Sequence, residues 1–282
     1  MSLARVAALT FMAMLAFAGN SLLCRLALAG AHSDPASFTA IRMAAGAAVL
    51  AFIVRQRNPK PAGSGNWLSA IALFSYAAAF SFAYVGLTAA TGALLLFGSV
   101  QVTMISTGLW RGERLAAWQI VGMLCALGGL LVLLLPGLST PPLPRALLMI
   151  LAGLSWGIYS LRAKNAGDPT VVTGGNFLRT VPMALALFLQ TSTQVHIDAA
   201  GITYALISGA IASGVGYAIW YTALRGLKAT TAATVQLSVP ILATLGGVAL
   251  LAEPISTTLL VATVATLGGV ALVILTKPRA RV

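Results

Sequence analysis

The chemistry open to this chain is narrow. Its 282 residues include five acids (Asp34, Glu113, Asp168, Asp198 and Glu253), two histidines (His32 and His196) and two cysteines (Cys24 and Cys125). No Ser–His pair, paired aspartates or His-Glu-x-x-His run lies in its apolar stretches, so nucleophilic and metal-assisted catalysis lack their residues. With so few ligating side chains, no metal or other cofactor is expected. The chain reads as a non-enzyme. What remains is recognition without bond making, by aromatic rings, hydroxyls, amides and a few cations set in apolar sequence.

Those groups recur at helical spacing. Tyr76, Phe80 and Tyr84 stand at i, i+4 and i+8, and Tyr217 and Tyr221 repeat the interval; residues so spaced share one helix face. Trp156 lies about eleven residues, roughly 16 Å, into an apolar helix, with Tyr159 one turn on. An indole that deep needs an acceptor for its N–H, which suits the wall of a polar cavity. Ser99, Thr103 and Ser106 accompany Gln101, while Thr231, Thr234 and Ser238 accompany Gln236 and Pro240. Pro240 cannot donate to the Gln236 carbonyl, so a kink there would expose an acceptor. Asn20, deep in the first apolar run, belongs to the same class. Each set reads as a binding wall or as rings and hydroxyls that join helices. Arg42 and Arg179 also read two ways. They would attract a carboxylate, or they bind helix-end carbonyls and lipid phosphate, and the structural role leads.

The elements that hold these residues follow from composition. Hydrophobic residues make up 59% of the chain and charged residues 8%, with a mean hydropathy of +0.94. A soluble domain carries about 25% charged residues, so this chain cannot cover a water-facing globule. Apolar runs between Gly, Pro and charged breaks predict ten helices at about 4–28, 35–54, 66–84, 89–109, 116–135, 145–163, 169–190, 201–223, 230–251 and 256–276. The segment around Ala16-Phe17-Ala18 resembles a signal-peptide cleavage site, but the repeat described below argues that it stays as the first helix. With the N-terminus inside, thirteen of the 17 basic residues fall on that face, against Arg145 alone on the other. This bias predicts cytoplasmic termini. It also explains the +12 net charge without a continuous basic face, so no nucleic-acid partner is expected. Trp67, Trp110, Trp118 and Trp220 fall near predicted cytoplasmic helix ends and read as interfacial anchors. Cys24 and Cys125 read as packing residues in separate helices.

The two halves repeat. Arg25 and Arg162, Ile41-Arg42 and Leu178-Arg179, and Tyr84 and Tyr221 match at an offset of 137. Ser99-Val100 and Ser238-Val239 match at 139, and Glu113 and Glu253 at 140, as do Leu127-Gly128-Gly129 and Leu267-Gly268-Gly269. Each unit, 1–138 and 139–282, holds five predicted helices. An odd number turns the second copy upside down, which is a transporter architecture with its site at the midplane between copies. Glu113 and Glu253 stand where helices begin, and read as scaffold acids that complement the helix dipole.

Two five-helix units, an Arg shortly after Asp34-Pro35 or Asp168-Pro169, and Arg-Gly-Glu113 or Leu-Ala-Glu253-Pro before a helix with Leu-Gly-Gly resemble the EamA-like branch of the drug/metabolite transporter superfamily. In size and ten-helix layout the chain is similar to bacterial aromatic amino-acid exporters of that group. The resemblance implies a monomeric, multi-pass protein of the bacterial inner membrane, surrounded by lipid, that exports a small solute by alternating access. An amino acid, aromatic or neutral, is the expected cargo, and export of cationic or amphipathic drugs by proton antiport is the rival. The expected solute contacts are Trp156, Tyr159, Tyr76, Phe80, Tyr84, Asn20, Ser99, Gln101, Tyr217, Gln236, Ser238, Arg42 and Arg179. No acid lies near the middle of a span, so exchange or facilitated transport is expected in preference to obligatory proton antiport.

Overall fold

The computed structural model describes residues 2–57, 65–110, 116–134, 141–163, 167–191, 193, 195–227, 235–236 and 238–276. Among these, ten helical segments follow one another: α1 (Leu3–Ala29), α2 (Pro35–Arg57), α3 (Trp67–Tyr84), α4 (Ala89–Trp110), α5 (Ala117–Leu134), α6 (Leu143–Ala163), α7 (Pro169–Gln190), α8 (Ala199–Leu224), α9 (Ser238–Leu251) and α10 (Thr257–Leu275). Helices α1–α3 and α6–α8 are long and apolar enough to cross a membrane, and the other four contain shorter apolar stretches. No strand occurs among the described residues. Large apolar side chains such as Leu124, Leu154, Leu245 and Val264 face outward. That is the exterior expected where the surroundings are hydrocarbon.

The loop acids start helices. Asp34 Oδ1 accepts from the Ala36 and Ser37 N–H groups, and Asp168 Oδ1 from those of Thr170 and Val171. Pro35 and Pro169 each supply the first helical residue, a position that has no intrahelical bond to lose. Asp198 caps α8 through the Gly201 N–H, and Ser256 caps α10 through that of Leu259.

Packing follows the repeat. Helix α5 lies along α10, α2 along α7, and α4 on α9; α3 meets α6 while α1 meets α8, and α4 meets α6 while α1 meets α9. Exchanging each helix with the one five places away returns the same set of pairs. Small residues set the close crossings. A Cβ on Gly129 would meet Thr266 and the Ala262 carbonyl, and one on Gly269 would meet the Gly122 carbonyl and the Ala126 backbone. Gly128 and Gly268 meet nothing, so one glycine of each pair carries the α5–α10 contact. At the α4–α6 crossing, Gly153 faces the Leu96 carbonyl and Ser99, and Gly157 faces Thr103.

Helix α8 departs from its counterpart α3. Its middle turn, Ser208–Val215, is wound as a π-helix, whereas α3 is α-helical throughout. Within that turn Gly209 seats on the backbone of Arg42. Insertions of this kind re-aim side chains and concentrate at functional sites.

The distal end of the bundle, where α1 finishes, is tied across the two halves. Arg25 Nε donates to Glu253 Oε1 at 2.9 Å, and Arg25 Nη1 to the Tyr84 carbonyl at 3.1 Å. Glu253 Oε2 accepts from the Ala89 N–H at 2.8 Å. Glu253 therefore complements the start of α4, in place of the helix that follows it, because Ser256 already caps α10. Glu113 lies outside the described residues. A second tie joins the α1–α2 turn to the α7–α8 turn. The Asp34 N–H donates to the His196 carbonyl and the Asp198 N–H to the His32 carbonyl, with His32 Nδ1 2.7 Å from Asp198 Oδ2.

Two sequence expectations change here. Trp67, Trp110 and Trp118 are exposed, but Trp220 is buried against Phe17, because its face of α8 turns toward α1. Cys24 is buried, whereas Cys125 is exposed, since α5 has only one covered face.

Candidate functional site

Helices α1, α3, α4, α6 and α8 converge on a cavity lined by Phe17, Asn20, Ser21, Tyr76, Phe80, Leu96, Phe97, Trp156 and Tyr217. Its volume is about 10 Å³, room for roughly one water molecule. Trp156 is the hub of the wall. Its ring centroid lies 4.8 Å from Tyr217, 5.0 Å from Tyr76, 5.7 Å from Tyr159 and 5.8 Å from Phe17. Phe80 stacks beside Tyr76 at 5.4 Å. Phe17 meets the indole edge-on and the other pairs are tilted, so the cluster presents both faces and edges of its rings. An aromatic or apolar group entering the cavity would meet the same surfaces.

A polar chain crosses behind the rings. Ser208 Oγ donates to Asn20 Oδ1 at 2.7 Å, and Asn20 Nδ2 donates to the Tyr76 hydroxyl at 3.3 Å. Arg42 reaches the same hydroxyl from the other side: Nη2 donates to Tyr76 at 3.1 Å and to Tyr217 at 3.5 Å, and Nε donates to Ser213 Oγ at 3.1 Å. The guanidinium carbon lies 5.3 Å from the Tyr76 ring centroid and 5.1 Å from that of Phe80. Arg42 is completely buried.

Of the residues singled out in the sequence, Asn20, Tyr76, Phe80, Trp156 and Tyr217 meet at this cavity, with Arg42 on its polar side. Tyr159 stands one ring further out and accepts from Asn176 Nδ2 at 3.4 Å. Tyr84 is elsewhere. Its hydroxyl donates to the Ala89 carbonyl at 3.4 Å, and its ring packs on Gly92, so it fixes the α3–α4 turn. Ser99 Oγ returns to the Leu95 carbonyl of its own helix and Ser238 Oγ to the Val235 carbonyl just before α9; a hydroxyl bonded in this way has already given its proton. Ser106 is exposed. Gln101 and Gln236 are buried on α4 and just before α9. Arg179 is half-buried, donates to the Gly175 carbonyl at 2.8 Å and lies over Trp67, away from its repeat mate Arg42. Thr231, Thr234 and Leu237, next to the expected kink at Pro240, lie outside the described residues.

Phe17, Ser21, Phe97, Ser208 and Ser213 were not singled out as contacts. A signal existed for one of them. Ser213 follows Tyr76 by 137 residues, the offset that relates Arg25 to Arg162.

Comparison with known proteins bears on the fold and the family. A Pseudomonas aeruginosa protein described as "Uncharacterized protein PA1977" is 56% identical over 260 residues, which span 92% of this chain and 91% of its own. A crystal structure of a protein 20% identical in sequence superposes with a TM-score of 0.69, covering 95% of this chain and 96% of that one; it speaks for the fold alone. The EamA-like transporter family matches twice, over residues 4–135 and 143–275. The family's domain recurs over both halves, and this multi-pass, helical membrane protein belongs to the EamA-like transporter family.

Proposed function

We propose that the chain is a secondary transporter that exports amino acids, aromatic or neutral, by alternating access. One observation carries this reading: the aromatic cavity around Trp156 at the meeting of α1, α3, α4, α6 and α8, which draws its wall from both halves. In this reading all ten helices cross the inner membrane as two inverted units, 1–138 and 139–282, and both termini are cytoplasmic. The protein acts as a monomer. The cavity is then the closed form of the site, and small rotations of one unit against the other open it to either side.

The rival reading, proton-coupled export of cationic drugs, asks for a carboxylate at the site. Among the described residues, Asp34, Asp168 and Asp198 cap helices and Glu253 pairs with Arg25. The experiment is solute counterflow in proteoliposomes against amino acids, quaternary cations and nucleotide sugars, with and without an imposed pH gradient. Saturable counterflow of aromatic or neutral amino acids without uphill accumulation is expected. Accumulation of cations driven by the pH gradient alone would refute the proposal.

A further inference from the structure

Arg42 is an unusual residue in its setting. A guanidinium stays charged at any working pH, yet this one is completely buried and its hydrogen-bond acceptors are the neutral oxygens of Ser213, Tyr76 and Tyr217. Its titratable neighbours Tyr76, Tyr217 and Cys24 are of types that are mainly neutral at pH 7. Nη1 is buried with no hydrogen-bond partner. A buried charge without a counter-charge is costly, and natural proteins keep one where it meets an anion. The rings under Arg42 are those of the cavity wall, Tyr76 and Phe80, and Tyr217 accepts from it. These neighbours are also repeat-related: Tyr76 with Ser213 and Phe80 with Tyr217, each pair 137 residues apart.

With the cavity read as the solute site, as above, we infer that Arg42 is the receptor for a carboxylate on the solute. The site takes aromatic or apolar monocarboxylates whether or not they carry an amino group. The free Nη1 supplies one charge-assisted hydrogen bond to the carboxylate, and a second comes from Nη2 when the solute oxygen replaces the long 3.5 Å contact to Tyr217. The aromatic wall takes the rest of the molecule. Among the described residues an ammonium finds no matching acid: Asp34, Asp168, Asp198 and Glu253 are all engaged at helix ends. The carboxylate is thus the required group, and the amine a passenger.

The test compares four probes of one shape: L-phenylalanine, 3-phenylpropionate, L-phenylalaninamide and phenethylamine. Binding is read from thermal stabilisation of the purified full-length protein, and transport from competition in proteoliposomes. The two acids are expected to act at concentrations about 30-fold or more below those of the amide and the amine, the scale of a charged hydrogen bond. Arg42→Gln should erase that gap, and Arg42→Lys should restore part of it. Should Arg42→Gln fail to fold, the acid–amide comparison in the unaltered protein decides alone. Equal action of phenylalanine and its amide overturns the inference while leaving an amino-acid carrier intact. Binding of 3-phenylpropionate without phenylalanine keeps the inference and removes the amino-acid reading. Preference for the amine, or no binding by either acid, overturns the inference.

Discussion

Glu253 does two jobs with one carboxylate, and removing it exposes both. Oε1 holds Arg25 at 2.9 Å and Oε2 holds the first N–H of α4 at 2.8 Å, in a pair whose side chains are 9% and 19% exposed. Breaking a fully buried pair by deleting one partner costs about 3–5 kcal/mol. The partial exposure of Arg25, and its fallback on the Tyr84 carbonyl, reduce that to about 2 kcal/mol. Orphaning the Ala89 N–H adds about 1 kcal/mol. Glu253→Ala should therefore destabilise the protein by about 3 kcal/mol. Glu253→Gln, which keeps one acceptor oxygen, turns an NH2 donor toward the other donor and loses the charge, should recover little of that. Reversible unfolding in mixed micelles, with sodium dodecyl sulfate as denaturant and tryptophan fluorescence as signal, measures both. A double-mutant cycle with Arg25→Met isolates the pair, with a coupling of about 1–2 kcal/mol expected. A cost for Glu253→Ala below about 0.5 kcal/mol, the range of an ordinary surface substitution, would refute this account of the distal tie.

Three further outcomes are expected. Trp156→Ala should weaken solute affinity about tenfold or shift selectivity in the transport assay, since aromatic pairs contribute about 0.5–1.5 kcal/mol each, whereas Trp156→Phe should retain most of it. Gly269→Ala should destabilise by about 1–3 kcal/mol because its Cβ meets backbone of α5; Gly268→Ala, one residue earlier and facing nothing, should be neutral or stabilise by up to about 1 kcal/mol, as read in the same unfolding assay. The Gly201 N–H and His32 together hold the Asp198 carboxyl below its ordinary value near 3.8. Its contribution is then complete above that value and lost as pH falls below it. Thermal midpoints measured from pH 6 to 3 should decline less steeply at the acid end for Asp198→Asn than for the unaltered protein.

Helix positions were legible because hydrocarbon surroundings impose long apolar runs with polar breaks. Arg25, Arg42 and Tyr84 betrayed the repeat by matching at one offset. Side-chain direction was not legible. Tyr76, Phe80 and Tyr84 share a stripe, but α3 is crossed by different partners along its length, so the first two reach the cavity and the third locks a turn. Arg42 and Arg179 occupy equivalent sequence positions, yet one meets the π-helical turn of α8 and the other meets Trp67. Local periodicity cannot report a π-turn, because the inserted residue changes the face without changing the composition. Ser99 and Ser238 looked available as hydroxyls, but a helix offers each of them a carbonyl one turn back.

The tie between the α1–α2 and α7–α8 turns bears on how such a molecule could move. It combines two backbone hydrogen bonds with side-chain contacts from Asp34 to the His196 N–H and from His32 to Asp198. At about 0.5–1.5 kcal/mol net for each bond, parting the two turns would add several kcal/mol to every transport cycle. That is enough to slow turnover by a hundredfold or more. A carrier that kept these contacts would use them as a fulcrum about which the two halves turn.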